Sequence, residues 1–351
     1  MNSDIRVVPY QPDWYSSYQA LAEREWGIGC HQADPGYLRW MHENPIAPPS
    51  GQHTIWLGVA GETVIGCITS MRLRWRVGEQ LVDFPTLHDW LVAPEYRTGL
   101  GTMLLTTALR GQRHAFTPAA DGELEQVYTA LRCERADSMW FRHVLRPVPG
   151  GLRFGLQKTL GEHSHKVPRP RLRRPVPGSY GGYRLSVGAE PSLQAALLER
   201  LHREPPVGAG AWPHWTAESF AWRFFDPQGP WHLVLWQGRG SRVEDFCLLS
   251  LGVRHGLAIG RLMLTAFADF EAFERLAVAA QRVLAELGVH VLLAFTLDPR
   301  QRVAFARAGW RTRSGPPSFF SHFPRKQRFG AVAAGAEIAD FGFESLTEPR
   351  P

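Results

Sequence analysis

Cysteine is scarce in this sequence and never paired. Cys30, Cys67, Cys133 and Cys247 are its only four, far apart and with no Cys-x-x-Cys among them. That fits reduced, mostly buried thiols better than a disulfide framework or a thiolate zinc site. Long apolar runs are missing too, so no segment reads as a membrane span. The N-terminus, MNSDIRVVPY, has neither the basic cluster nor the apolar stretch of a signal peptide, and the expected location is cytoplasmic. Metal-ligand groupings are equally thin. His163 and His165 stand close together, but no carboxylate or thiol accompanies them at ligand spacing, so no metal is expected.

Charged residues are 21% and apolar residues 44% of the 351. Those ordinary values exclude wholesale disorder and leave room for two compact domains. A net charge of +6 and a pI near 9.4 would suit an anionic partner. Part of the excess sits in Lys166-Val-Pro-Arg-Pro-Arg-Leu-Arg-Arg174, which carries no acid. No aromatic residue is interleaved there to stack on bases, so the segment reads as an extended Pro-rich linker and not as a nucleic-acid surface.

What is abundant is internal repetition. Ile5–Pro9 reads as a strand and Pro12-Asp13 opens a helical pattern; Tyr183–Val187 and Pro191-Ser192 do the same in mid-chain. Leu38-Arg-Trp40-Met-His-Glu-Asn44-Pro45 then matches Phe220-Ala-Trp222-Arg-Phe-Phe-Asp226-Pro227, each followed by an apolar strand. Finally Ala115-Phe116-Thr117 matches Ala294-Phe295-Thr296. The order is kept and the offset is nearly constant, which indicates duplication. The expected division is a first domain over 1–146, a Pro/Gly-rich basic linker over 147–180, a second domain over 181–325 and a loosely packed tail over 326–351.

The first half alone carries a glycine-spaced turn. Strands over 55–60, 64–77 and 81–92 form an antiparallel meander, followed by Ala93-Pro94-Glu95-Tyr96-Arg97-Thr98-Gly99-Leu100-Gly101-Thr102 and a helix. Glycines let backbone approach an anion, and a helix N-terminus presents unpaired N–H groups to it. A Rossmann site uses the same physics, but its loop lies within a βαβ unit, whereas here the preceding strands form an antiparallel meander.

This stretch resembles motif A of the GNAT superfamily of acyl-coenzyme A transferases. Val92-Ala-Pro94-Glu-Tyr96-Arg97 and Gly99-Leu-Gly101-Thr102 match its two parts, with one residue fewer between arginine and glycine than is usual. The resemblance covers residues 5–146. It implies α/β (α+β) domains with a mixed, mostly antiparallel, splayed sheet. It also implies that Arg97, Thr98, Gly99, Leu100, Gly101 and Thr102 hold the coenzyme A pyrophosphate, and that backbone groups of Trp90, Leu91 and Val92 pair with the pantetheine. Tyr128 stands where the family's general acid stands, although Arg132-Cys133 replaces the usual Gly-Phe pair; a core tyrosine is the other reading. Its counterpart in the second repeat is Phe305.

For a general base the residues offer His88 and Asp89 on the strand entering motif A, expected to point to opposite faces. An ordinary strand histidine is the alternative. Glu43 and Asn44 either line an acceptor pocket or cap a helix. The second half has no glycine turn: Leu262–Arg275 is bulky there, and a structural or substrate-shaping role is expected. The implied activity is transfer of an acyl group, acetyl first, from acyl-coenzyme A to an amine of a small-molecule acceptor. Transfer from charged tRNA, O-acylation of a sugar or natural product, and non-catalytic acyl-coenzyme A binding remain as alternatives.

Overall fold

The structure, a computed structural model, describes residues 5–27, 30–46, 51–118, 122–136, 139–147, 149–152, 155, 170–203, 211–227, 232–240, 242–254, 257–296, 299–314 and 318–322. His163, His165, residues 166–169 of the basic segment and the 326–351 tail lie outside them. The first half runs β1 (Ile5–Pro9), α1 (Tyr15–Trp26), α2 (Pro35–His42), β2 (Ile55–Ala60), β3 (Thr63–Val77) and β4 (Gln80–Val92). It continues through α3 (Arg97–Leu109), β5 (His114–Thr117), α4 (Gly122–Ala130), β6 (Glu134–Ala136) and β7 (Met139–Val144).

The second half runs β8 (Gly178–Tyr180), β9 (Tyr183–Val187), α5 (Pro191–Arg203), β10 (Ala211–Pro213), α6 (Ala217–Phe225), β11 (Leu233–Arg239) and β12 (Arg242–Arg254). Then follow β13 (Leu257–Ala266), α7 (Phe270–Glu286), β14 (Val291–Thr296), α8 (Pro299–Arg307), β15 (Arg311–Ser314) and β16 (Ser318–His322). Each half keeps the order strand, two helices, three antiparallel strands, helix, strand, helix, which is the order the repeats predict.

Two 8-stranded sheets result. The first is ordered β1-β2-β3-β4-β5-β16-β6, with β10 added beside β3, and the second β15-β7-β14-β13-β12-β11-β9-β8. Here the structure corrects the sequence reading. Residues 139–144 fall within the first domain expected over 1–146, yet Met139–Val144 pairs with β14 and β15 of the second sheet. Reciprocally, Ser318–His322 inserts between β5 and β6 of the first. The halves exchange their final strands, so each sheet is completed by the other half's chain. An alternating strand satisfies its backbone in either position, and only long-range hydrogen bonding chooses between them.

The sheets face one another across a shared core. Met71, Leu73, Trp75 and Phe84 of the first pack with Phe246, Leu248, Met263 and Phe295 of the second. At its edge the two repeated tryptophans meet. Trp40 and Trp222 stack with ring centroids 4.7 Å apart and planes 16° apart. Each indole N–H donates to the other's backbone carbonyl at 3.1 Å. The repeated Trp-x-x-x-(Asn/Asp)-Pro block is thus the contact between the halves, made by like residues about a local two-fold. All four cysteines are free thiols, and no described helix is long and apolar enough to cross a membrane.

Candidate functional site

The site begins where two parallel strands part. β4 and β5 share one ladder pair, Thr86 with Phe116, although β4 runs on to Val92. Past Thr86 the strand stays bonded to β3 on its other side, with Leu91 opposite Cys67 and Val92 opposite Gly66. Trp90, Leu91 and Val92 therefore border the opening towards β5. In the second sheet the corresponding ladder is longer, Ile259–Leu262 against Val291–Ala294.

The glycine turn follows directly. Pro94–Tyr96 makes one 3-10 turn, Thr98 leaves helical geometry with ψ 100°, and Gly99 takes φ 92°. That left-handed conformation suits glycine and costs other residues about 1–2 kcal/mol. The regular helix resumes after it, with Arg97, Thr98, Gly99 and Thr102 exposed and Leu100 turned into the core. Gly101 faces the Trp90 ring, whose nearest atom would lie 3.4 Å from an added Cβ; anything longer than Ala would have to push out over the helix N-terminus. The residues from 97 to 102 thus form an open, amide-rich helix start, as an anion site requires. In the second half that position is closed. Asp269 caps α7, accepting from the Ala272 N–H at 2.8 Å, so a carboxylate already occupies the amides that an anion would need.

His88 and Asp89 correct a second expectation. They were assigned to opposite faces, but the register of β3 and β4 slips between Cys67 and Thr69, and Asp89 takes φ 45°. The bulge places two residues of β4 opposite one of β3 and breaks the alternation. Both side chains consequently lie on one face, His88 Nδ1 2.9 Å from Asp89 Oδ2. Thr69 Oγ1 is 2.9 Å from the same nitrogen and donates to the His88 carbonyl, while Gln32 donates to Asp89 Oδ1 at 3.0 Å. Because a carboxylate oxygen only accepts, its contact with Nδ1 favours the tautomer that carries the proton there. The His88 side chain is 6% exposed, and its Nε2 is buried with no hydrogen-bond partner. Thr86 Oγ1, two residues earlier on the same strand face, is also buried and unpartnered.

Tyr128 lies on the opposite face of the sheet, in the core with Leu100, Leu104 and Leu105 of α3. It is wholly buried, and Thr117 Oγ1, at the end of β5, donates to its hydroxyl at 2.7 Å. Burial pushes its pKa well above the ordinary tyrosine value, the Thr117 bond opposing this only in part. The Trp90 ring meets it edge-on with centroids 6.3 Å apart, so Tyr128 bridges the parting strands from behind. Phe305 takes the equivalent place in the second half, buried and without a hydroxyl.

Asn44 behaves as a local anchor: its amide donates to the Arg72 carbonyl and its oxygen accepts from the Ile46 N–H, both at 2.9 Å. Glu43 is exposed and ends α2. Sequence reasoning missed Thr69, Gln32 and Thr117 as partners of the site. Thr117 could have been noticed, because it closes the repeated Ala-Phe-Thr block. Among the described residues no three His, Cys, Asp or Glu are grouped to hold a metal. A cavity of about 740 Å³ near Trp236 and Leu193 is lined only by second-half residues and shares none with this site.

No family model and no curated protein matches the sequence. Solved structures do share the fold. Saccharomyces cerevisiae N-myristoyltransferase with bound myristoyl-CoA superposes with a TM-score of 0.64 at 12% identity, covering 99% of this chain and 85% of that one. A GCN5-related N-acetyltransferase from Kribbella flavida gives 0.54 at 14% identity, covering 91% and 72%. One from Anabaena variabilis gives 0.52 at 9% identity, covering 90% and 72%. The mixed, mostly antiparallel sheets flanked by helices are those of the GNAT fold.

Proposed function

We propose that this chain, having the GNAT fold, is an acyl-coenzyme A-dependent N-acyltransferase whose donor site lies in its first half. The observation that carries the proposal is the opening between β4 and β5, bordered at one end by the Gly99–Gly101 turn. On its two faces stand the His88–Asp89 pair and the Tyr128 hydroxyl. The likeness to an N-myristoyltransferase bound to myristoyl-CoA and to N-acetyltransferases supports the same class of reaction.

In this reading the pyrophosphate rests on the exposed amides of residues 98–102, and the pantetheine pairs with β4 along Trp90–Val92 like an added strand. The acceptor amine enters on the face that carries His88. Nε2, with its lone pair unengaged and Nδ1–H held by Asp89, takes a proton from the ammonium or attacking amine. The hydroxyl of Thr86 offers that amine a second partner. The nitrogen attacks the thioester carbon, backbone amides of the opened strand hold the developing oxyanion, and the tetrahedral intermediate expels the thiolate. Tyr128, kept protonated by burial, gives that thiolate its proton. Base and acid thus act from opposite faces of the gap, which matches an amine arriving on one side and a thiol leaving on the other.

Calorimetry with coenzyme A tests the donor site. Gly101→Glu puts a carboxylate and its bulk over the helix N-terminus, and binding should vanish while the fold persists. Binding at wild-type strength would refute the assignment. Acetyl- and myristoyl-coenzyme A presented side by side resolve the acyl length. Thiol release in an amine screen identifies the acceptor class.

A further inference from the structure

In the second half the helix start that corresponds to the glycine turn is capped by Asp269, and Phe305 has no hydroxyl, which makes this half look dispensable to the chemistry. The exchanged strand argues otherwise. β16 pairs along β5 with Phe319 opposite Thr117, the residue that donates to the Tyr128 hydroxyl. The Phe319 ring lies flat on that of Tyr128, with centroids 5.3 Å apart and planes 17° apart, and Phe319 is 1% exposed. Tyr128 is therefore gripped between its own half, through Thr117 and Trp90, and a ring delivered from nearly two hundred residues away. The second half contains the counterpart stack. Phe305 lies on Phe141, carried by the strand that the first half donates, with centroids 4.5 Å apart and planes 23° apart.

We propose that Phe319 is a positioning residue for the Tyr128 hydroxyl, so that the second half of the chain completes the acid's pocket in the first. The proposal rests on the reading of Tyr128 as general acid. Phe319 would act twice, by fixing the plane of the phenol ring and by sealing its rear against water. A ring free to tilt would carry its hydroxyl away from the leaving sulfur, and misplacement on that scale is costly in rate. Water admitted behind the ring would also relieve the burial that keeps the phenol protonated. Besides the Thr117 hydroxyl and the Trp90 and Phe319 rings, the group acting on it is the Cys133 thiol, which raises its pKa further.

The test compares three variants of the full chain by turnover, KM for acyl-coenzyme A, pH profile and thermal melting. Tyr128→Phe probes the underlying reading. Phe319→Leu removes the flat ring and keeps an apolar side chain. Phe141→Leu does the same to the counterpart stack, where no hydroxyl is involved. Phe319→Leu is expected to lower kcat by roughly tenfold or more with KM little changed. It should also bring an alkaline loss of kcat into the region of about pH 10, where an ordinary tyrosine ionises. Phe141→Leu should melt earlier to a similar extent and keep both kcat and pH profile. If Tyr128→Phe is fully active, the reading of Tyr128 fails. If Tyr128→Phe is impaired but Phe319→Leu matches Phe141→Leu in rate and pH profile, the positioning role alone is overturned. Should Phe319→Leu not fold, Phe319→Met carries the same comparison, with each rate divided by the folded fraction.

Discussion

Tyr128 and His88 are each defined by what their polar atoms lack or possess. The Tyr128 hydroxyl accepts from Thr117 inside a fully buried site, so its own proton is available to another acceptor. General acids typically contribute about 10²–10⁴-fold in rate. Tyr128→Phe should accordingly cut turnover by about that range and leave acyl-coenzyme A affinity nearly intact, because the ring still packs. Unchanged single-turnover rates would return Tyr128 to a packing role. His88 differs in having one nitrogen engaged and the other bare. His88→Gln should lower kcat/KM for the amine by about 10²-fold or more if Nε2 is the base. Asp89→Asn should do less damage, since its carboxylate orients the ring and does not itself take the proton. Equal rates for all three proteins would leave the amine to lose its proton to solvent.

Among the elements, the helix starts at α3 and α7 make a matched pair, one open and one capped. Asp269→Ala removes a side-chain cap and should cost about 1 kcal/mol, read as a lowered denaturation midpoint. It should not create coenzyme A binding in the second half, because Phe270 and Glu271 still stand at that helix start. Gly99→Ala should lose a comparable amount through its φ of 92° alone, since no neighbour crowds the new methyl. The two effects are distinguishable by ligand: only the Gly99 variant should also weaken coenzyme A, by shifting the amides that face it. A Gly99→Ala protein as stable as wild type would mean the turn adopts another conformation in solution.

The whole molecule is held at the shared core between the sheets and by the two exchanged strands. Trp222→Ala should cost about 3–5 kcal/mol, the range for a buried large aromatic, because it empties the space of the stacked ring and removes the indole N–H that donates to the Trp40 carbonyl. A second junction responds to pH. His202 of α5 stacks on His214, which follows β10 on the edge of the first sheet, with centroids 4.8 Å apart and planes 9° apart. Burial lowers the pKa of both, and neighbouring charge adds to it: Arg76 for His202, and His202, Arg76 and Arg74 for His214. The hydrogen bond between His202 and the Trp215 backbone opposes the shift. A depressed folded pKa means that the folded state favours the neutral rings. Their contribution is then present above about pH 6.5 and is lost as pH falls through the depressed values. Thermal midpoints should decline below that pH, and the decline should flatten in the His202→Gln, His214→Gln double variant.

Much of this was legible in the residues. The strand patterns over 64–77 and 81–92 gave the long hairpin, the matched tryptophan blocks gave the duplication, and the glycine spacing marked the uncapped start of α3. These are local properties, since periodicity and backbone freedom depend on residues within a turn or two. Three decisions were left to the tertiary structure. The bulge at Asp89 turned two side chains expected on opposite faces into a hydrogen-bonded pair, and nothing local demands φ 45° of an aspartate. The final strands crossed between halves, because alternation specifies which face of a strand is buried but not which neighbour completes its ladder. Phe319 therefore reached Tyr128 from the far end of the chain, a contact set by backbone hydrogen bonds between distant segments that no sequence spacing encodes.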